Sequence, residues 1–374
     1  MRVGLKTVLV VGASGVIGQA AAAEFASRSQ WEVHGLSRRT GSGLPRVAWH
    51  QVDLLDRQVC LSAFSAMTGV THLVYAAVDE APGLVSGWFD PGSIGRNETM
   101  LRNVLDGLAG AGCFLEHVTL LQGSKAYGVH SHDPAVAAAP LPLRERDPLR
   151  PHANFYFAQE ELLRARQPSG GWSLTVLRPT VVYGSALGTN MNLIPVIGAY
   201  AALLRAEGRP LHFPKELGVP FLAEAVDARL LARAIVWSCE SALARDEVFN
   251  VTNGDVYSWR GVWPSIAGTF GMAPGGPDPI SFAEWMPGRS TAWARLVEEH
   301  SLRAPADIMA FVGPNSLAYA DMLLREDRSP RTPILNSTVK IRQAGFADCI
   351  DTEDMFVEWF TLLQESGVLP PRAD

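Results

Sequence analysis

One tyrosine and one lysine carry the chemistry that this sequence suggests, and an acid near the tyrosine restricts it. Tyr156 stands in the segment Asn-Phe-Tyr-Phe-Ala-Gln-Glu-Glu, which puts Glu160 four residues further on. On a helix these two positions share one face, and a carboxylate there disfavours ionisation of the tyrosine. The nearest candidate cation is Lys125, in Gln-Gly-Ser-Lys-Ala-Tyr-Gly. The pattern predicts that Tyr156 stays protonated and donates a hydrogen bond, with Lys125 as the stabilising charge.

The simpler alternative for each residue is structural. Lys125 alone could be an exposed loop lysine, and Tyr156 alone could be a core residue. We favour the catalytic interpretation because both stand behind a cofactor-binding motif in one chain. Glu160 is interpreted as a helix-surface charge that pairs with Arg164, one turn later.

A glycine-rich turn follows the first predicted strand and opens the first predicted helix. Glycines permit a tight turn and let the backbone approach a pyrophosphate, while the helix start supplies N–H donors. In this strand-turn-helix context the motif is a strong indication of a dinucleotide. The alternative is a turn of the same shape with no ligand. The candidate cofactor-binding residues of the turn are Gly12, Gly15, Val16, Ile17 and Gly18.

Two arginines follow the second predicted strand, where an NAD site usually has an acid for the ribose 2′-hydroxyl. Arg38 and Arg39 provide no acid and two permanent charges. A guanidinium matches a phosphate bidentately, so the pair favours NADPH. The alternative is a solvated pair on a loop.

Further cofactor contacts are expected where other parallel strands end, because ligands bind at that edge of an open sheet. Asp53 and Leu54 should lie by the adenine. Ala77 and Val78 should lie over the cofactor, and Val182 should belong to its wall near the nicotinamide.

Strand-like and helix-like segments alternate over the first half of the chain, which indicates a parallel sheet. We predict an α/β fold: a Rossmann-type doubly wound parallel sheet with a smaller, mostly helical C-terminal substrate-binding region. Residues 1–185 should bind the cofactor, completed by a strand near 247–251, and residues 186–374 should mainly bind substrate. The stretches 134–151 and 273–279 are expected to be loops. The predicted strands are 6–11, 32–36, 47–52, 72–76, 117–121 and 173–177; the predicted helices are 16–27, 93–108, 154–166, 194–205, 223–241 and 259–270.

Composition excludes several classes of protein. The net charge is −6 at pH 7 and there is no basic block, which argues against a nucleic-acid partner. The N-terminus lacks a signal-peptide pattern and no apolar stretch reaches membrane-spanning length. The dispersed cysteines indicate reduced core residues, so a cytoplasmic protein without a membrane contact is expected. His130 and His132 have no further ligand nearby, and no metal site is predicted.

These motifs resemble the progesterone 5β-reductase/iridoid synthase-like family of atypical extended short-chain dehydrogenases/reductases, over nearly the whole chain. The specific part is the lysine motif followed by Asn-Phe-Tyr at 154–156. The resemblance implies that Lys125 and Tyr156 are the catalytic pair, that Tyr156 also contacts the cofactor, and that a homodimer forms. It further implies cofactor contacts for Thr189, Asn190 and Met191. Most short-chain reductases have a lysine where Glu160 stands, and the family usually has a second tyrosine in place of Phe157.

The resemblance implies NADPH-dependent reduction of the C=C bond of a small, apolar α,β-unsaturated carbonyl compound. Hydride would add to the β-carbon, and Tyr156 with Lys125 would stabilise the enolate. Two alternatives stay open. One is a sugar-nucleotide epimerase or dehydratase, or a carbonyl reductase, on the same scaffold. The other is an NADPH-binding sensor or regulator without turnover.

Overall fold

Two compact units make up the chain in this computed structural model, and the first contains the large sheet. The structure describes residues 5–39, 41, 43–80, 84, 88–131, 133–137, 139–216, 221–324 and 333–372. The first unit comprises Met1–Thr180, Ala228–Thr252 and Leu335–Asp348. The second comprises Val181–Asp227, Asn253–Ile334 and Cys349–Asp374. No helix among the described residues is long and apolar enough to cross a bilayer.

The sheet of the first unit is parallel throughout its seven strands and confirms the predicted α/β class. The strands are β1 (Lys6–Val11), β2 (Trp31–Ser37), β3 (Val47–Gln51), β4 (His72–Tyr75), β5 (His117–Leu121), β6 (Ser173–Pro179), β7 (Val181–Tyr183), β8 (Leu211–Phe213), β9 (Ala225–Asp227), β10 (Val248–Val251) and β11 (Pro274–Pro277). The spatial order in the large sheet is β10-β6-β5-β4-β1-β2-β3. The central strands β4 and β5 are buried along their whole length, as expected for strands covered on both faces. The strand expected near 247–251 is β10, which pairs with β6.

Helices connect the strands in the right places for a doubly wound sheet. The helices are α1 (Val16–Ala26), α2 (Arg57–Phe64), α3 (Pro91–Gly110), α4 (Pro134–Ala137), α5 (Phe155–Gly170), α6 (Leu193–Ala206), α7 (Ala228–Glu240), α8 (Trp259–Thr269), α9 (Phe282–Trp285), α10 (Ser290–Glu299), α11 (Ile308–Val312), α12 (Ser316–Leu323), α13 (Val339–Gln343) and α14 (Thr352–Glu365). In the first unit, α1 packs against α7, while α2 packs against α3 and α3 against α5.

Three segments differ from the predicted elements, apart from shifts of four residues or fewer at other helix and strand ends. The helix expected from residue 223 begins at 228, because β9 precedes it and pairs with β7. The stretch 273–279, expected to be a loop, contains β11, which pairs with β8. The stretch 134–151 contains the short helix α4. The strands β9 and β11 each depend on a partner strand distant in sequence, and α4 is only four residues long. The periodicity of apolar residues within a short window indicates neither.

Candidate active site

The glycine turn after β1 makes a close backbone approach that only glycine allows. The N–H groups of Gly12 and Ala13 both donate to the carbonyl of Leu36, at 2.9 and 3.0 Å. Gly12 has φ +87°, and a Cβ there would lie 2.7 Å from the backbone nitrogen of Ala77. Any side chain would therefore separate β1 from the residues that follow β4.

The end of this turn opens α1 and leaves a cradle of backbone atoms. Gly15 donates its N–H to the carbonyl of Gly12 at 2.9 Å. A Cβ on Gly18 would lie only 2.2 Å from the Gly12 oxygen, so α1 packs directly on the turn. Gly15 is the N-cap, followed by Val16 and Ile17, and no side chain of the described residues caps this helix start. Uncapped N–H donors at a helix start with no side chains in the way fit a pyrophosphate.

Arg38 and Arg39 follow β2 but make different contacts. Arg39 donates from Nη2 to the carbonyl of Ser14, at 2.8 Å, which brings it beside the glycine turn. Burial, and then the charge of Arg38, lower the pKa of Arg39. Arg38 is 61% exposed, and its Nη1 lies 3.7 Å from Oδ1 of Asp79. Asp79 also binds Nε of Arg96 at 2.6 Å.

The other expected cofactor residues of the first unit lie just beyond their strands. Asp53 is exposed and accepts a hydrogen bond from the N–H of Leu55 at 3.0 Å, whereas Leu54 is buried. Ala77 and Val78 are half-buried and follow β4. The structure thus brings Ala77 to the glycine turn.

Tyr156 lies in the first turn of α5, as the sequence predicts. Asn154 is the N-cap, and its Oδ1 accepts a hydrogen bond from the Tyr156 N–H at 3.0 Å. The Tyr156 hydroxyl lies beside Gly123: a Cβ on that glycine would be 3.2 Å from the hydroxyl oxygen. Gly123 therefore leaves room for the half-buried ring at the end of β5.

The turn that carries Lys125 is joined to the start of the Tyr156 helix. Lys125 lies in a 3-10 turn, Ser124–Tyr127, directly after β5. Its backbone carbonyl accepts hydrogen bonds from Nδ2 of Asn154 at 3.3 Å and from Nε2 of His152 at 3.1 Å. One side chain, Asn154, thus binds the lysine turn with one end and caps the tyrosine helix with the other.

The ammonium group of Lys125 lies against an aromatic face. Its Nζ is 3.8 Å from the ring centroid of Trp88, a cation–π contact. The indole N–H of Trp88 in turn donates to Oε1 of Glu80, at 2.5 Å. Burial lowers the pKa of Lys125 to about 8, and the Glu80 carboxylate opposes this shift only in part. The lysine is charged at neutral pH but loses its proton in mildly alkaline solution.

An aromatic cluster extends from Trp88 toward α5. The His130 ring stacks on Phe89 at 5.2 Å and meets Trp88 edge to face at 5.8 Å. His152 continues the cluster, 5.3 Å from His130 and 5.0 Å from Phe157.

His132, the second member of the histidine pair, lies outside the described residues. Among the described residues, no group of three or more His, Cys, Asp and Glu side chains could hold a metal ion.

Glu160 pairs with Arg164 as predicted, but it also faces the sheet. Arg164 binds Oε1 through Nε at 2.9 Å and Nη2 at 2.7 Å. Oε2 accepts a hydrogen bond from Gln122 at 2.8 Å and lies 3.7 Å from Nη2 of the buried Arg178. Two arginines therefore balance its charge, so the prediction of a neutral Tyr156 rests on the missing lysine at position 160 more than on the acid itself.

The remaining expected cofactor residues belong to the second unit. Val182 lies in β7 and is half-buried. Thr189 is buried and its hydroxyl donates to the carbonyl of Ala186, at 3.2 Å. Asn190 and Met191 follow it, and Met191 has a φ of +52°. The contacts of these residues with a cofactor stay predictions.

The sequence did not indicate two residues that contact the Tyr156–Lys125 region, Trp88 and Gln122. Trp88 lies far from any motif, and no periodicity marks it as a partner of Lys125. Gln122 directly precedes the glycine of the lysine motif at the end of β5, so its place at the ligand edge of the sheet could have drawn attention to it.

Comparison with known proteins agrees with this architecture. The family described as "NAD dependent epimerase/dehydratase" matches residues 8–217. A UDP-glucose 4-epimerase structure from Thermotoga maritima superposes with a TM-score of 0.65 at 15% identity, covering 96% of this chain and 99% of that one. This likeness concerns the fold.

Curated relatives of similar length extend the match to the whole chain. An (S)-8-oxocitronellyl enol synthase of Camptotheca acuminata is 27% identical over 97% of this chain and 93% of its own length. A 3-oxo-Δ4,5-steroid 5β-reductase of Arabidopsis thaliana is also 27% identical, over 97% of this chain and 92% of its own. The resemblance to progesterone 5β-reductase and iridoid synthase-like proteins is confirmed by these matches.

Proposed function

This chain belongs to the NAD dependent epimerase/dehydratase family and is an oxidoreductase, and we propose that it reduces the C=C bond of an α,β-unsaturated carbonyl compound with NADPH. The observation that carries the proposal is the pair of hydrogen bonds by which Asn154 connects the Lys125 motif to the Tyr156 motif. Asn154 caps the tyrosine helix and holds the carbonyl of Lys125, so a hydroxyl donor and a cation belong to one connected substructure. Such a donor and charge suit an oxyanion that develops on a carbonyl oxygen.

The residues of the glycine turn fit the dinucleotide. The backbone around Gly12, Gly15 and Gly18 would hold the pyrophosphate, because no side chain of the described residues caps the helix start. Arg38, largely exposed, and Arg39, beside the turn, would bind the 2′-phosphate. When bound, NADPH supplies the hydride that adds to the β-carbon of the substrate.

Tyr156 and Lys125 have separate tasks in this mechanism. Tyr156 keeps its proton and donates a hydrogen bond to the carbonyl oxygen, where negative charge accumulates as the enolate forms. The enolate then takes a proton from solvent water at its α-carbon, which restores the carbonyl and leaves a saturated C–C bond. Lys125 supplies a positive charge that favours the same oxygen and remains protonated at neutral pH. Preorganised donors of this kind typically contribute about 3–4 kcal/mol each to transition-state stabilisation. The rings of Phe89 and Phe157, which pack on His130 and His152 near Lys125, would suit an apolar substrate.

The absence of a lysine at position 160 separates this proposal from alcohol or sugar oxidation. In those reactions a tyrosinate removes a proton, and a neighbouring lysine lowers its pKa. Here position 160 is a glutamate, and its carboxylate forms ion pairs with Arg164 and Arg178. Enolate stabilisation needs only a neutral hydroxyl donor, and the chain retains that donor in Tyr156.

NADPH consumption with a panel of enones, enals, saturated aldehydes and a UDP-sugar tests the proposal. We expect oxidation of NADPH with the enones and enals, and product analysis should show a saturated C–C bond with the carbonyl intact. Carbonyl reduction, UDP-sugar turnover, or binding of NADPH without turnover of any substrate would refute it and would favour the corresponding alternative.

The proposal keeps a division of labour along the chain. Residues 1–185 would mainly bind NADPH and residues 186–374 mainly substrate. We further propose a cytoplasmic homodimer, which sedimentation of the purified protein and its location in cell fractions would test.

A further inference from the structure

A buried arginine lies at the end of β6 and needs a partner. Arg178 is 3% exposed, and burial of a guanidinium without a counter-charge is costly. Its Nε donates to Oε1 of Gln122 at 2.9 Å, and its Nη2 lies 3.7 Å from Oε2 of Glu160. The guanidinium also lies 5.1 Å from the ring centroid of Tyr127. The arginine therefore contacts both segments that flank the proposed catalytic pair.

Gln122 connects this arginine to the tyrosine helix. Its Nε2 donates two hydrogen bonds, one to Oε2 of Glu160 at 2.8 Å and one to the backbone carbonyl of Tyr156 at 3.2 Å. Its Oε1 receives Arg178. Each polar atom of this buried amide is thus used, and the first turn of α5 is bound to the end of β5.

Tyr127 brings the same network to the lysine turn. It stands two residues after Lys125 in the 3-10 turn, and its hydroxyl donates to Oδ1 of the buried Asn250 at 2.7 Å. With the Arg178 guanidinium near its ring, Tyr127 is held from two sides. The turn of Lys125 and the helix of Tyr156 therefore share a second connection besides Asn154.

We propose that Glu160, Gln122 and Arg178 form a positioning network that sets the Tyr156 hydroxyl relative to Lys125. The inference rests on the proposed function, and it gives the acid at position 160 a role: it is the counter-charge of the arginine that spans the two catalytic segments. A network of this kind affects the reaction rate, because a small displacement of a catalytic group lowers that rate strongly.

Gln122→Met is the sharpest variant, because it fills similar space while it removes all three hydrogen bonds of the amide. We expect its single-turnover rate with NADPH and an enone to fall by about 10- to 100-fold. NADPH affinity and KM should stay within about twofold of wild type, since these groups are not proposed to touch either ligand. Glu160→Gln, which keeps an acceptor for Gln122 but removes the charge, should show a smaller loss in the same direction.

Arg164→Met is the matched control. Arg164 binds the same carboxylate, but from the exposed face of α5, where ion pairs contribute little. We expect its rate to stay within about twofold of wild type. A Gln122→Met enzyme with the wild-type rate per folded molecule, even if its melting temperature is lower, would overturn the proposal, because the network would then be purely structural.

A spectroscopic arm separates failure of this inference from failure of the proposed function. Lysines can be labelled by reductive ¹³C-methylation, and Lys125→Met assigns the Lys125 signal among those of Lys6, Lys215 and Lys340. The Lys125 resonance should shift in Gln122→Met and not in Arg164→Met. If wild type reduces no enone, the proposed function fails, and this shift still supports the network; an unchanged resonance in Gln122→Met overturns it.

Discussion

The glycine turn and the Tyr156–Lys125 region are the two proposed sites at the same edge of one sheet, but they are built differently. The turn is made by the backbone of seven consecutive residues, and its shape follows from missing side chains at Gly12 and Gly18. The Tyr156–Lys125 region is made by side chains from separate segments, which meet through Asn154, Trp88 and Gln122.

This difference has a consequence for substitution. A contiguous backbone cradle binds through fixed N–H groups, so its polar side chains, Arg38 and Arg39, adjust which dinucleotide is preferred. In the mechanism that we propose for the Tyr156–Lys125 region, each side chain has its own task, and the tasks depend on one another. We therefore expect changes at the first region to alter binding and changes at the second to alter rate.

The largest effect should come from the hydroxyl of Tyr156. Tyr156→Phe keeps the ring, so the fold and NADPH binding should persist, while the single-turnover rate of enone reduction should fall by about 100- to 1000-fold. Lys125→Met should also lower the single-turnover rate of enone reduction. Because the two residues act as a unit, the double variant should be only slightly slower than the slower single variant. Full activity in Tyr156→Phe would contradict the assigned role.

The arginine pair should show the opposite pattern, a change in binding with little change in rate. In Arg38→Ala/Arg39→Ala the NADPH Kd should rise by at least about 10- to 150-fold, because each of the two lost charge-assisted contacts is worth about 1.5–3 kcal/mol. The NADH Kd should hardly change, because NADH has no 2′-phosphate. Titration of both cofactors into wild type and variant measures this, and an NADPH preference that survives the double change would show that other residues read the phosphate.

Alkaline pH should inactivate the Tyr156–Lys125 region selectively. The charged form of Lys125 is present below its pKa of about 8 and is lost as pH rises through that value. The rate should be level near neutrality and then fall by up to about tenfold per pH unit. Lys125→Arg keeps its charge at high pH and should remove this alkaline limb, although its different shape lowers the maximum rate. A limb that persists unchanged in Lys125→Arg would belong to another group.

The smallest effect should come from Trp88. Trp88→Leu removes the cation–π contact and the indole hydrogen bond to Glu80. A contact of this kind is worth about 0.5–2 kcal/mol, so a rate loss of about 2- to 30-fold is expected. Because the smaller side chain admits water, the alkaline limb should move to higher pH. Trp88→Phe keeps an aromatic face and is the matched control; if both variants shift the limb equally, the ring is not what covers Lys125.

Local sequence signals were sufficient for the scaffold. The first strand at Lys6–Val11, the fifth at His117–Leu121 and the N-cap at Asn154 are where the pattern predicts them. The reason is that buried parallel strands are mostly apolar and that an asparagine side chain caps the helix that follows it. The short strands of the second unit, such as β9, escaped because each depends on a partner distant in sequence.

The sequence by itself determined the glycine turn, the arginine pair after β2, and the order of the lysine and tyrosine motifs, because each of these is written in adjacent residues. Only the tertiary structure decided that Trp88 covers Lys125 and that Glu160 faces Arg178 as well as Arg164. The Glu160–Arg164 pair lies on one helix and was predicted from spacing, whereas the Trp88–Lys125 and Glu160–Arg178 contacts join residues from different secondary-structure elements. Their free energies depend on distance and burial in the folded protein, and spacing along the chain carries neither quantity.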